Sequence, residues 1–145
     1  MGNKNGKQLS ATARIEVRFN ECDPMGVVWH GNYIKYFEEG REAFGKKYNF
    51  DYMDFFRKGV LTPIVHVESN YKKPLRYKDV ALVETSFHFT EAAKIIFHYK
   101  IFNEATGELA CSGNTIQVFV TDGNMELLLT RPDFINDWLK QVGLK

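Results

Sequence analysis

"ECDPMGVVWHGNYIKYFEEGREAF", residues 21–44, changes character halfway through. As far as Gly31 the apolar residues have no regular spacing, and Pro24 and Gly26 punctuate a loop. From Asn32 a helical period takes over. Tyr33, Tyr36, Phe37, Gly40, Phe44 and Tyr48, with Ala43, fall on one face, while Lys35, Glu38, Glu39, Glu42 and Lys46 fall mostly elsewhere. Asn32 is the expected N-cap. A mid-helix glycine costs about 1 kcal/mol against alanine, so Gly40 predicts a close approach by another element.

On either side of this stretch the period is two. In 13–19, Ala13, Ile15, Val17 and Phe19 share one side and Arg14, Glu16 and Arg18 the other, which predicts a half-buried strand. A short helix is expected over 51–58, ending at Gly59. Alternation then predicts strands over 64–71, 81–89, 94–102 and 108–121, with Ile116, Val118 and Val120 sharing a side of the last. The joins are short, so neighbouring strands pair antiparallel. Thr130, with Asp133 three residues on, fits the start of a C-terminal helix over 131–141. A sheet with one apolar face needs a cover, and the long aromatic helix is the available one. The expected fold class is α+β: one domain over 1–145, a long central helix wrapped by a curved antiparallel sheet of about five strands. The odd-numbered strand residues pack on the helix, and residues 1–11 form a loose N-terminus.

Bulk properties narrow the function. The 145 residues carry a net charge of +1, which gives no electrostatic footprint for nucleic acid. Cys22 and Cys111 do not make a disulfide framework. No apolar run reaches the roughly 18–20 residues of a membrane span, and the first residues lack an apolar signal core. A reducing, cytoplasmic location is the expectation.

The chemistry-bearing residues cluster in the opening stretch. No GxSxG elbow, Walker loop or GxGxxG occurs. Helix N-termini present unpaired N–H groups and partial positive charge, so the His30 and Gly31 amides are candidate oxyanion donors. Asp23 is a candidate nucleophile or water-directing carboxylate beside them. It equally fits an Asx turn at Pro24, with no chemistry at all, and His30 equally fits a structural place at a helix start. Cys22 reads as a nucleophile or a small apolar filler. Glu38 and Glu39 read as a solvated helix face or a rival acid. His88 and His98 face each other across a hairpin, but two ligands make a poor metal site.

At these residues the sequence resembles the 4-hydroxybenzoyl-CoA thioesterase-like branch of the hotdog-fold acyl-CoA thioesterases. "RFNECDPMGVVWHGNYIKYFEEGREAF" carries the likeness, with Tyr71, Pro74, Arg76 and Asp79 matching a later Y-x-x-P-x-R-x-x-D pattern. It extends from about residue 12 to about residue 121. The resemblance implies a hotdog fold, a homodimer or homotetramer, and sites between subunits. It implies hydrolysis of acyl-CoA, with Asp23 as the catalytic acid and the His30 amide polarising the thioester carbonyl. The His30 side chain matches a position held by histidine in one subgroup and tyrosine in another. A related hotdog group carries its acid on the central helix, where this chain has Glu38 and Glu39. Lys72, Lys73 and Arg76 are the expected CoA phosphate contacts, and Tyr33, Thr62 and Pro63 the lining of the acyl passage. No metal and no cofactor beyond the CoA of the substrate are expected. A thioesterase acting on acyl carrier protein and a noncatalytic acyl-CoA-binding module remain as alternatives.

Overall fold

Helix α1 (Asn32–Tyr48) is the axis of the molecule, and a computed structural model shows the sheet wrapped around it. The structure describes residues 8–145. In chain order the other elements are β1 (Ser10–Glu16), α2 (Tyr52–Arg57), β2 (Val60–Leu61), β3 (Ile64–Tyr71), β4 (Val80–His88), β5 (Lys94–Asn103), β6 (Leu109–Val118), β7 (Val120–Thr121) and α3 (Asp133–Gln141). The main sheet has five strands in the order β1-β4-β5-β6-β3, antiparallel throughout. A second sheet pairs β2 with β7.

The helical period meets the strand period in one core. From α1, Tyr33, Tyr36, Phe37, Gly40 and Phe44 are buried, as the spacing predicts. Opposite them lie Ala81, Val83, Thr85 and Phe87 of β4 and Ile95, Phe97, Tyr99 and Ile101 of β5. Phe37 stacks on Tyr99 with ring centroids 4.3 Å apart. Gly40 lets the backbone of α1 approach β4 closely: a Cβ there would overlap the Thr85 hydroxyl and crowd Val83. Helix α3 closes the far end. Trp138 packs on Phe50 at 4.5 Å, and its Nε1–H donates to the Tyr48 carbonyl at 2.8 Å.

Several expectations are corrected. Strand β1 ends at Glu16, and Phe19, expected inside, sits in a 3-10 turn (Phe19–Glu21) with 77% of its surface exposed. Val65 and Val67 of β3 are exposed, because β3 is an edge strand paired only with β6. In β6 Ala110, Cys111, Thr115 and Gln117 are buried, followed by Phe119; the odd-numbered residues from Thr115 on face inward as expected, while Ile116 and Val118 are only half-buried. The predicted 108–121 strand breaks at Phe119, so Val120 belongs to the second sheet. Gly31, not Asn32, is the cap of α1. Pro132, not Thr130, caps α3, without a side-chain hydrogen bond. Of the expected loose N-terminus, residues 1–7 lie outside the described residues; Ser10 and Ala11 pair with Ser86 and Thr85. Arg41 of α1 is buried as well and donates to the Tyr99 hydroxyl at 3.0 Å.

Candidate active site

The loop between β1 and α1 folds back on itself. Cys22 bridges Val28, the Asp23 N–H donates to Val27 O at 2.9 Å, and the Gly26 N–H donates to Asp23 O at 2.8 Å. Gly26 adopts φ +80°, a left-handed turn conformation in which glycine carries no Cβ penalty. The Asp23 Oδ1 accepts the Met25 N–H at 2.9 Å, which is the Asx turn its neighbours predict. Its second oxygen, Oδ2, makes no hydrogen bond among the described residues. The structural role therefore occupies half of the carboxylate.

At the tip of α1, the His30 and Gly31 N–H groups donate to no acceptor among the described residues. They are the orphan donors that a helix start provides. The Trp29 ring lies over Gly31, where any Cβ would strike it, and packs against His30 at 4.9 Å. A side chain at 31 would displace the indole from this position.

Residues 71–79 form the other wall. The Tyr71 hydroxyl donates to the His30 carbonyl, the Val28 N–H donates to Leu75 O at 2.8 Å, and Arg76 bridges Val27. Asp79 Oδ2 accepts the Arg76 N–H at 2.9 Å and holds this segment's turn. The sequence pattern of Tyr71, Pro74, Arg76 and Asp79 is thereby placed against the Asp23 loop. Lys72 and Lys73 are exposed, their N–H groups on Ala110 O, and the Lys73 ammonium is 3.9 Å from Glu108.

Tyr33 is buried between Tyr36 and Tyr71, at 5.8 and 5.1 Å, and burial pushes its phenol up to about 12. Thr62 and Pro63 lie elsewhere, at the β2–β3 junction, where Gln117 Nε2 donates to Thr62 O at 2.9 Å. No hydrogen bond or ring contact among the described residues joins Tyr33 to them within one chain. A cleft of about 530 Å³ opens between α1 and α2, lined by Glu38, Arg41, Phe50, Tyr52 and Met53 among others, none of them from the Asp23 loop. Glu38 is exposed and 3.6 Å from Arg41; Glu39 is exposed. The Cys22 thiol rests 3.8 Å from Arg18 O. His88 and His98 stack at 3.6 Å on the outer face of the sheet, and no cluster of three metal-ligating side chains occurs among the described residues.

One residue escaped the sequence analysis. Glu21 is buried, with 5% of its surface exposed. Oε1 accepts from the Arg18 N–H at 2.9 Å and the Tyr36 hydroxyl at 2.8 Å, and Oε2 pairs with the Lys35 ammonium at 2.9 Å. Its carbonyl accepts from the Trp29 N–H at 2.9 Å and Asn32 Nδ2 at 2.8 Å. Burial alone would raise its pKa; the Arg18 N–H, Lys35 and Tyr36 together hold it lowered. A signal existed in the sequence: Lys35 and Tyr36 one turn into the helix are ready partners for an acid in the preceding loop.

The family model of the thioesterase-like superfamily matches residues 17–140. The chain belongs to that superfamily. The match continues through α3, past the end of the resemblance seen in the sequence. The Bacillus subtilis protein named "Putative acyl-CoA thioesterase YneP" is 39% identical over 124 residues, 86% of this chain and 88% of that one. The 4-hydroxybenzoyl-CoA thioesterase of a Pseudomonas species is 24% identical over 79% of this chain and 86% of its own. Among solved structures, the DHNA-CoA thioesterase from Staphylococcus aureus superposes with a TM-score of 0.82 at 31% identity, covering 92% of this chain and 90% of that one. The fold is a hotdog, and the chain is a thioester hydrolase.

Proposed function

We propose that the protein hydrolyses acyl-CoA thioesters to free acid and CoA in the cytoplasm. The observation that carries this is the pair of unpartnered His30 and Gly31 N–H groups at the tip of α1, held by hydrogen bonds to the loop that presents Asp23. Two aligned amides stabilise the oxyanion that forms when the thioester carbonyl is attacked. The carboxylate supplies the other half in one of two ways. It attacks the carbonyl to form a mixed anhydride, expelling the CoA thiolate, and water then cleaves the anhydride. Or it orients water, which adds its oxygen to the carbonyl as its proton passes to the carboxylate; the tetrahedral adduct then collapses to the free acid, breaking the C–S bond, and the departing CoA thiolate takes up that proton. Aspartate is ionised at neutral pH and a weak base in water, so placement matters more than proton affinity. The His30 side chain, exposed beside Tyr71 at 6.4 Å, is a further candidate contact to substrate.

Two copies joined along β3 complete the site in this proposal. Strand β3 leaves one edge unpaired and exposes Val65, Val67 and Tyr71 along it, which favours addition of a second strand. Lys72, Lys73 and Arg76, directly beyond that strand, are placed for the CoA phosphates. Thr62 and Pro63 then approach Tyr33 across the subunit boundary and line the acyl passage.

The test is thiol release from a panel of acyl-CoA thioesters, with matched carrier-linked acyl groups alongside. Turnover of CoA thioesters above the carrier-linked ones supports the proposal. Binding of acyl-CoA without thiol release contradicts it.

A further inference from the structure

We propose that Glu21 is the positioning residue of the site: it fixes the Asp23 carboxylate relative to the His30 and Gly31 amides. The inference rests on Asp23 as the reacting carboxylate. Acidic side chains are almost never fully buried unless paired, and Glu21 is the one buried carboxylate among the described residues. Stability alone does not call for it, because an apolar residue of similar size usually serves a buried position as well as an ion pair does. An acid there contributes directional bonds.

Those bonds converge from both ends of the Asp23 loop and from α1. The side chain reaches back to Arg18, where the chain leaves β1, and forward to Lys35 and Tyr36 on α1. The carbonyl of the same residue takes the Trp29 N–H and the Asn32 amide. Glu21 is therefore bonded on both sides of the loop at once. Asp23 follows it by two residues, at most about 7 Å of extended chain. His30 follows Trp29 directly, and Gly31 precedes Asn32. The acid and the oxyanion donors each lie one or two residues along the chain from a group that bonds through Glu21.

Tyr36 sets the depth of the arrangement. Its ring is fully buried in the core, so its hydroxyl is a fixed point of α1. The hydrogen bond to Oε1 transmits the position of the helix to the loop. A misplacement of about 1 Å costs as much as 10²-fold in rate even when no reacting group is lost. Lys72, Lys73 and Arg76, proposed above for the CoA phosphates, make no bond to Glu21, so the loss is expected on kcat and not on KM.

The experiment measures kcat, KM and thermal unfolding for Glu21→Ala, Glu21→Gln, Tyr36→Phe and Asp23→Asn, and for Glu21→Ala combined with Asp23→Asn. Glu21→Ala is expected to lower kcat by about 10–100-fold with KM within about threefold. Glu21→Gln keeps an oxygen that accepts from Arg18 and Tyr36, and is expected to restore kcat to within about threefold of wild type. In the Asp23→Asn background, Glu21→Ala is expected to lower kcat no further, because its effect passes through the lost carboxylate. Should Glu21→Ala not fold, Tyr36→Phe, which removes one donor and keeps the ring, is expected to lower kcat about 3–10-fold. A folded Glu21→Ala enzyme with wild-type kcat overturns the inference and leaves Asp23 in place, provided Asp23→Asn is inactive. So does an equal loss in both backgrounds. Full activity in Asp23→Asn overturns both together.

Discussion

The Tyr71 hydroxyl donates to the His30 carbonyl at 3.0 Å, which ties the end of β3 to the tip of α1. The two residues lie 41 positions apart, so the sheet and the helix start are held in one frame by a single side chain. A carbonyl fixed in this way also fixes the peptide plane that follows it, and with it the Gly31 N–H. Tyr71→Phe removes the donor and keeps the ring. A neutral hydrogen bond contributes about 0.5–1.5 kcal/mol to stability, so the unfolding temperature should fall by only a few degrees, and turnover, through the displaced Gly31 N–H, about 2–10-fold. Steady-state kinetics beside a melting curve checks this.

Gly40 and Thr85 make a second testable pair. A Cβ on Gly40 overlaps the Thr85 hydroxyl, which is itself buried without a hydrogen-bond partner among the described residues. Gly40→Ala should lower unfolding free energy by about 1–3 kcal/mol, as overpacking does. With Thr85→Ala in place the same change should cost less, because the overlap with the Thr85 hydroxyl is gone and only the contact with Val83 remains. Denaturant unfolding of the four proteins closes the cycle.

His88 and His98 predict a pH response on the opposite face of the sheet. Burial first, then the neighbouring imidazole, holds His88 below its ordinary value of 6.5; burial holds His98 below it, against Glu68. The folded state therefore disfavours protonation. The stability that this pair contributes is full above 6.5 and falls as pH drops from there through the lowered folded values. In His98→Gln the decline between pH 7 and pH 5 should be shallower, as followed by denaturant midpoints across that range.

Glu21 predicts a separate response in stronger acid. Its folded pKa lies below the ordinary 4.5, so its contribution is present at neutral pH and disappears as pH falls through the lowered value. Glu21→Gln should flatten the acid limb of the stability curve below pH 4.5 and leave the limb near pH 6 unchanged. The two titrations thus separate the site from the outer face.

The wrapped helix was legible because two periods meet in it. Tyr33, Tyr36, Phe37 and Gly40 mark a face at helical spacing, and Ala81, Val83, Thr85 and Phe87 mark one at strand spacing. Phe19 misleads because alternation carries past the point where Asn20 and Glu21 turn the chain. Val65 and Val67 mislead differently: apolar residues on an edge strand look like core until the neighbouring strand is absent. The residues proposed for the chemistry form a cluster in the sequence itself, since Asp23, His30 and Gly31 are close in the chain. Glu21 was harder to see: Lys35 and Tyr36 signal a partner acid, but the Arg18, Trp29 and Asn32 groups that it also joins leave no mark in the residue pattern. Nor does the order of residues tell which groups meet across two copies, which is where Thr62 and Tyr33 are proposed to approach.

The most direct measurement is the turnover of Asp23→Asn on the best CoA thioester, with its oligomeric state and melting temperature recorded beside it. Asparagine keeps the oxygen that accepts the Met25 N–H, so the turn survives and only the charge is lost. The expected result is a loss of at least about 100-fold in turnover with assembly and stability unchanged. A mutant that releases thiol as fast as the wild type would contradict the assignment of Asp23 as the reacting carboxylate.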